Sequence, residues 1–210
     1  MTALNFCLTE NRLLLSMDTL VSDNETDKKP LLFTTKTFIL PHMNCLICGV
    51  GTLDVVFEWY EFVARKVVAE GILSLDSVAQ RYLYSNIPDN LKNAYCTIYQ
   101  FGINEIDGKM DGFVYRHENN YISKKLEHAV YTRPEIPNDI DIKFTDVYQY
   151  FSDIMKYQKK INDSSLKDDR IYIGGTIQIL EMTKNKIQII NYDNFDDYNE
   201  CLDQIKNRLV

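Results

Sequence analysis

The sequence predicts an α+β fold in which antiparallel sheets carry helices on their outer faces. Strand-like segments occur in hairpin-like pairs, amphipathic segments of helical spacing lie between the pairs, and no linker rich in glycine, serine or proline divides the chain. Of the 210 residues, 45% are hydrophobic and 25% are charged, which is ordinary for a globular protein. We therefore expect one domain over residues 1–210.

The N-terminal third predicts four strands in two pairs. A polar turn at Glu10-Asn11 separates the first pair, and Pro41-His42 interrupts the second. Gly49-Val50-Gly51 then ends this β-rich region. The four predicted strands are Thr2–Leu8, Arg12–Met17, Leu32–Leu40 and Asn44–Cys48.

Two helices are expected next. Thr52 is the predicted N-cap of the first, and Gly71 is its predicted stop. Between them, apolar residues recur at helical spacing: Val56, Trp59, Val63 and Val67. The second helix is predicted over Leu75–Leu83.

The remaining elements alternate between strands and helices. Each predicted helix carries apolar residues at helical spacing on one face. The predictions are strands over Tyr95–Ile103 and Met110–Tyr115, a helix over Phe144–Ile161, a hairpin of Ile171–Met182 with Lys186–Tyr192, and a closing helix over Tyr198–Leu209.

Charge and composition exclude several classes of partner and location. The 23 basic and 30 acidic residues give a formal net charge of −7, which argues against a nucleic-acid or anionic-membrane partner. No apolar run reaches the ~18–20 residues of a transmembrane helix, and the N-terminus lacks the basic region of a signal peptide. Five cysteines without framework spacing favour a reduced, cytoplasmic protein.

Neither a metal nor a cofactor is expected from the sequence. His42, Cys45 and Cys48 are close in sequence, but structural zinc normally takes four ligands, often from two such pairs. No second pair is present, and Cys45 and Cys48 would point to opposite faces of a strand. The acidic residues from Asp193 to Asp203 lack the spacing of a calcium loop, so we expect them to be solvated.

Two residues near the N-terminus are predicted to meet. If the first hairpin turns at Glu10-Asn11, opposed residues sum to 21, which places Asp18 opposite Ala3 and beside Thr2. We expect Met1 to be removed, since the second residue is small. Thr2 would then carry both a hydroxyl nucleophile and a free α-amine, whose ordinary pKa of about 7.7–8.0 suits it to act as a base.

Lys36 and Gly49 would complete a hydrolytic site around Thr2. An ammonium held by a carboxylate lowers the pKa of a nearby amine, because like charges disfavour each other; Lys36 with Asp18 would provide this. Gly49 follows a strand and precedes a helix, so its backbone N–H is a candidate oxyanion donor.

These residues resemble the proteasome β-subunit family of N-terminal-nucleophile hydrolases. Thr2 and Asp18 are 16 residues apart, as in the family motif, and a Gly-Gly pair late in the chain resembles the one that opens a family strand. The residues that carry the resemblance are Thr2, Met17-Asp18-Thr19, Lys36, Gly49-Val50-Gly51-Thr52 and Ile173-Gly174-Gly175-Thr176.

The resemblance implies a four-layer αββα sandwich of two antiparallel sheets with helices on both outer faces. It also implies a homo-oligomer of rings or stacked rings that cleaves peptide or unfolded-protein substrates, with a possible unfoldase partner. Carried over by position, Thr2 is the nucleophile and base, Asp18 and Lys36 are the electrostatic pair, and Gly49 is the oxyanion donor.

The chain departs from the family at two places. The Ser-Gly turn expected before the third helix is replaced by Val130–Glu135, and Arg170 and Ile173 stand where the family has Asp and Ser, with Asp169 one residue away. Two alternatives therefore stay open. One is a catalytically inactive, structural relative, and the other is an amidase of the same mechanism acting on a small amide.

Overall fold

The structure is a computed structural model that describes residues 2–23, 29–137, 146–165 and 171–208. Within these ranges the chain forms twelve strands and four α-helices. The helices are α1 Leu53–Lys66, α2 Ile72–Ser85, α3 Val147–Asp163 and α4 Tyr198–Arg208. The strands are β1 Leu4–Leu8, β2 Arg12–Asp18, β3 Leu20–Ser22, β4 Pro30–Phe33, β5 Thr37–Leu40, β6 Cys45–Gly51, β7 Cys96–Ile103, β8 Met110–Arg116, β9 Lys124–Lys125, β10 Val130–Arg133, β11 Thr176–Thr183 and β12 Lys186–Asn194.

The strands form three sheets. One has the order β10-β1-β2-β11-β12, a second has the order β5-β6-β7-β8-β9, and β3 and β4 form a sheet of two. The prediction of a four-layer αββα sandwich made of two sheets is therefore wrong. The fold is mixed α/β with three mostly antiparallel sheets, and strands dominate it.

The extra sheet arises from a break inside one predicted strand. Residues Leu32–Leu40 were expected to be continuous, but they divide into the end of β4 and the whole of β5. β4 pairs with β3, whereas β5 pairs with β6. The break falls at residues 34–36, where the chain leaves β3 to pair with β6, and the side chain of Lys36 is buried there against Asp18.

The first hairpin has the predicted register. Leu4 lies opposite Met17 and Leu8 opposite Leu13, so that opposed residues sum to 21. β2 also pairs with β11, which brings the late hairpin beside the early one. β1 is thus paired with β2, which has a neighbouring strand on each side, β1 and β11.

Three apolar clusters form the core. One joins the two five-stranded sheets and includes Phe6, Leu15 and Phe101. A second contains side chains of α1, α2 and the β5–β9 sheet, and the third contains side chains of α3 and the other large sheet. Within the described part of the chain, no helix has the length and apolar character needed to cross a membrane.

Two helix boundaries differ from the prediction. α1 ends at Lys66, and Gly71 stands immediately before α2 instead of stopping α1. The predicted start at Phe144 and the predicted end at Leu209 lie outside the described residues. Asp146 caps α3, because its carboxylate accepts the amides of Tyr148 at 2.9 Å and Gln149 at 3.3 Å.

Glu105 caps α2 from a distant loop, which explains why α2 begins earlier than predicted. Its carboxylate accepts the amides of Leu73 at 3.0 Å and Ser74 at 2.6 Å, and the Ser74 hydroxyl at 2.6 Å. Burial opposes the charge, but these hydrogen bonds outweigh it and lower the pKa of Glu105.

Replacing Glu105 with glutamine is expected to reduce the free energy of unfolding by about 1 kcal/mol, the usual contribution of a cap. Because the folded pKa is lowered, this contribution is present above the unfolded pKa and is lost as pH falls through the folded pKa. Chemical denaturation at neutral and acid pH measures it. Glu70→Gln, at an exposed site nearby, is the control; an equal effect of both variants at neutral pH would contradict the capping role.

Candidate active site

The structure brings Thr2, Asp18 and Lys36 into direct contact. The Ala3 amide donates to Asp18 Oδ1 at 2.9 Å, which fixes Thr2 beside the end of β2. Lys36 Nζ donates to Thr2 Oγ1 at 2.9 Å and to Asp18 Oδ2 at 3.0 Å. Three residues singled out from the sequence therefore share one hydrogen-bonded cluster.

The Lys36 ammonium has all of its donors engaged. Its third hydrogen bond goes to the Leu20 carbonyl oxygen at 2.6 Å, and an ammonium has three donors in total. Lys36 is 3% exposed and Asp18 is 1% exposed. Since neither side chain can relax into water, the position of the ammonium on Thr2 Oγ1 is fixed.

Burial shifts the protonation equilibria of this pair. It raises the pKa of Asp18, although the Lys36 ammonium and the amides of Ala3 and Gly174 favour the ionised carboxylate. Burial likewise lowers the pKa of Lys36, against the attraction of Asp18. Lys36 therefore holds its protons less tightly than an exposed lysine.

Gly49 lies inside β6 rather than in a turn. The Thr52 amide donates to the Tyr95 carbonyl oxygen at 2.9 Å, so Thr52 faces β7. Because successive amides of a strand alternate between its two sides, the Gly49 amide faces the other side. On that side β5 begins at Thr37, opposite Cys48. Thr37 and Cys48 are a non-hydrogen-bonded pair of this ladder, so the Gly49 N–H points toward the backbone of Lys36, and Gly49 itself is buried.

A side chain at Gly49 would not fit. A Cβ there would lie 2.7 Å from the Thr97 carbonyl oxygen and 2.7 Å from Val56 Cγ2. Gly51, in contrast, has a φ of +102°, which favours glycine for conformational reasons. The two glycines of the motif are therefore required for different reasons, close packing at Gly49 and backbone conformation at Gly51.

An open cleft of about 500 Å³ lies directly over Thr2 and Lys36. The β3–β4 sheet and the start of α1 form its walls. Apolar side chains in these walls come from Val21, Leu31, Leu32 and Leu53. Leu31 and Leu32 are 38% and 45% exposed, so a ligand in the cleft would meet apolar surface beside the threonine hydroxyl.

The departures from the family have definite positions. Ile173 is fully buried in the cluster around α3 and offers no hydroxyl. Val130–Arg133 forms β10 and pairs with β1, with Leu4 opposite Arg133. Arg170 and Asp169 lie outside the described residues. The expected Gly-Gly pair does precede a strand, since β11 begins at Thr176.

The other side chains considered from the sequence lie elsewhere. Cys45 and Cys48 are buried in β6, where burial raises the pKa of Cys45 to about 12. Asp193 and Asp197 are not merely solvated, because Lys156 and Lys159 pair with them at 2.6 Å and 2.8 Å. In the residues that the structure describes, no group of three or more His, Cys, Asp or Glu is placed to hold a metal ion.

Backbone groups that sequence reasoning missed complete the site. The carbonyl of Leu20 and the amides of Ala3 and Gly174 contact the Lys36–Asp18 pair. Backbone carbonyls and amides are common to nearly all residue types, so no residue pattern marks these positions. Only the Gly174-Gly175 pair was recognisable in the sequence.

Comparison with known proteins adds no identification. No protein-family model matches the chain, and no curated protein matches its sequence.

Proposed function

We propose that this protein is a proteasome β-subunit-like threonine peptidase that uses Thr2, after removal of Met1, to hydrolyse peptide bonds. The contact that carries the proposal is the hydrogen bond of 2.9 Å from Lys36 Nζ to Thr2 Oγ1, with Asp18 holding the same ammonium at 3.0 Å. A buried lysine that is aimed at a hydroxyl by a buried carboxylate stabilises the developing alkoxide.

In the first half of the reaction, Thr2 Oγ1 attacks the carbonyl carbon while its proton passes to the Thr2 amine. The Lys36 ammonium stabilises the negative charge at Oγ1, and the Gly49 N–H is assigned to the carbonyl oxygen. The amine then gives the proton to the leaving nitrogen as the C–N bond breaks. An ester on Thr2 and a free amine product result.

Water completes the cycle. It attacks the ester carbonyl while the Thr2 amine takes one of its protons, and that proton returns to Oγ1 as the C–O bond breaks. The carboxylic acid product leaves and Thr2 is restored. This chemistry uses only side chains and backbone groups of the chain itself.

The cleft supports peptides with apolar side chains as substrates. Its walls expose Leu31 and Leu32 next to Thr2, and burial of such surface favours binding by roughly 25 cal/mol per Å². As parts of the same proposal, the protein acts in the cytoplasm on peptide or unfolded-protein substrates, inside a homo-oligomer of rings to which an unfoldase delivers substrate.

One observation favours a second candidate, an inactive proteasome-like subunit with a structural role. Ile173 places an apolar, buried side chain where the resemblance calls for a serine just before the Gly-Gly pair. Displacement of a reacting group by about 1 Å can lower a rate roughly 100-fold. An inactive subunit keeps the Lys36–Asp18 pair for stability alone.

The intact mass of the purified protein, with and without a peptide β-lactone, tests the proposal. We expect a mass without Met1 and a single acyl adduct. The adduct should be lost in Thr2→Ala and retained in Thr9→Ala, which changes an exposed threonine of the first turn. Retained Met1 without an adduct would contradict the peptidase and favour the inactive subunit.

A further inference from the structure

Side chains of α3 form hydrogen bonds to residues 171–173, the segment that leads into β11. Asn162 donates to the Ile171 carbonyl oxygen and accepts the Ile171 amide at 2.7 Å. One helical turn earlier, Lys159 Nζ donates to the Ile173 carbonyl oxygen at 2.9 Å. Two side chains of one helix therefore fix the path of residues 171–173, ahead of the first residue of β11.

Lys159 is itself fixed and charged. Its ammonium pairs with Asp197 at 2.8 Å and Asp163 at 3.3 Å, and its side chain is 16% exposed. Burial opposes the charge, but the two carboxylates outweigh it and raise the pKa of Lys159. At neutral pH the Lys159 ammonium is therefore fully charged where it donates to the Ile173 carbonyl oxygen.

The peptide group that Lys159 contacts also contacts the site. The Ile173 carbonyl and the Gly174 N–H belong to one planar unit, and the Gly174 N–H donates to Asp18 Oδ2 at 3.5 Å. Lys159 thus holds one end of this peptide and Asp18 the other. A cation on the carbonyl oxygen also polarises the unit, which strengthens its N–H as a donor.

From this arrangement we infer that Lys159 is a positioning residue, which acts through the Ile173–Gly174 peptide to orient and stabilise the Asp18 carboxylate. The inference rests on the proposed function of Thr2. Lys159 touches neither Thr2 nor Lys36 among the hydrogen bonds of the site, so its effect passes through Asp18.

Loss of the Lys159 ammonium should change how the reaction depends on pH. The bond from Gly174 is the longest of the three to Asp18, so it is the one most easily lost when the peptide rotates. Asp18 then loses a donor that favours its ionised form. We expect the acid limb of the pH–rate profile to move to higher pH and the rate at neutral pH to fall about tenfold.

The rate of β-lactone adduct formation, measured across the acid and neutral range on the full chain, tests this inference. Lys159→Met removes the charge, Lys159→Arg keeps it, and Lys160→Met changes the exposed neighbouring lysine of the same helix. We expect the shifted acid limb in Lys159→Met only. Lys159→Gln gives the same comparison if Lys159→Met does not fold.

Each outcome separates the two proposals. If the wild type is labelled but Lys159→Met and Lys160→Met have the same pH profile, the inference about Lys159 is overturned. The proposed function of Thr2 is not affected by that outcome. A uniform fall in rate without movement of the acid limb, unrescued by Lys159→Arg, would also overturn it, since that pattern indicates general damage to α3. An unlabelled wild type would remove the proposed function and this inference together.

Discussion

Replacing Lys36 with methionine is expected to abolish acylation of Thr2 and to destabilise the fold. Asp18 would keep a buried charge without its ion-pair partner, which costs about 3–5 kcal/mol. Thr2 Oγ1 would lose the ammonium that stabilises it, so the adduct rate should fall at least about 100-fold. Denaturation and β-lactone labelling measure the two effects, and Lys66→Met, at an exposed site, is the control.

A double substitution separates stability from chemistry at the same site. Asp18→Asn combined with Lys36→Met leaves no buried charge, so most of the lost free energy of unfolding should return. Labelling should stay absent, because no ammonium faces Thr2. A double variant that labels at the wild-type rate would contradict the role of Lys36, and one as unstable as Lys36→Met would contradict the unpaired charge as the cause.

The single Lys36→Met variant should also depend on pH in a defined direction. Burial already raises the pKa of Asp18, and removal of the ammonium raises it further. A raised folded pKa means that the folded state binds more protons, so stability falls as pH rises from the unfolded pKa through the folded pKa. The deficit against wild type should therefore shrink on acidification.

The second large effect is expected from a buried pair of amides. The Asn5 and Gln158 side chains exchange two hydrogen bonds of 2.8 Å, and Gln158 also donates to the Pro134 carbonyl oxygen at 2.6 Å. Asn5 is 0% and Gln158 2% exposed. The pair joins β1, which leads from Thr2, to the middle of α3.

Gln158→Leu should lower the free energy of unfolding by about 2–4 kcal/mol, because it leaves two sets of buried polar atoms without partners. The double variant Asn5→Leu/Gln158→Leu should lose less free energy of unfolding than the sum of the two single losses. Each substitution removes the polar side chain that the other leaves without a hydrogen-bond partner. Thermal or chemical denaturation measures this, with the exposed Gln80→Leu as control. Additive effects of the two changes would contradict the pairing.

Local patterns predicted the parts of the site that lie near the first hairpin. The turn at Glu10-Asn11 set the register of β1 with β2, and the register placed Asp18 beside Thr2. The sequence suggests Lys36 as an ammonium held by Asp18, and in the structure Lys36 contacts both Asp18 and Thr2. The roles of these residues stay predictions until labelling is measured.

The third sheet and the supporting contacts were not predictable from local pattern. Local pattern predicts Leu32–Leu40 as one strand, but the chain changes its pairing partner from β3 to β6 within it, where distant partners bind Lys36. The start of α2 depends on Glu105, which lies after the next strand, β7, in the sequence. Such effects arise from tertiary contacts that override propensity.

The pairing of β11 with β2 has a consequence for how the protein is made. Asp18 accepts a hydrogen bond from the Gly174 amide, which is 156 positions away in the sequence. β11, which follows Gly174, lies between β2 and β12 in the sheet. During synthesis Thr2 emerges long before this strand does. Asp18 therefore lacks that support until β11 has been synthesised, so the cluster around Thr2 is complete only after this strand has joined β2.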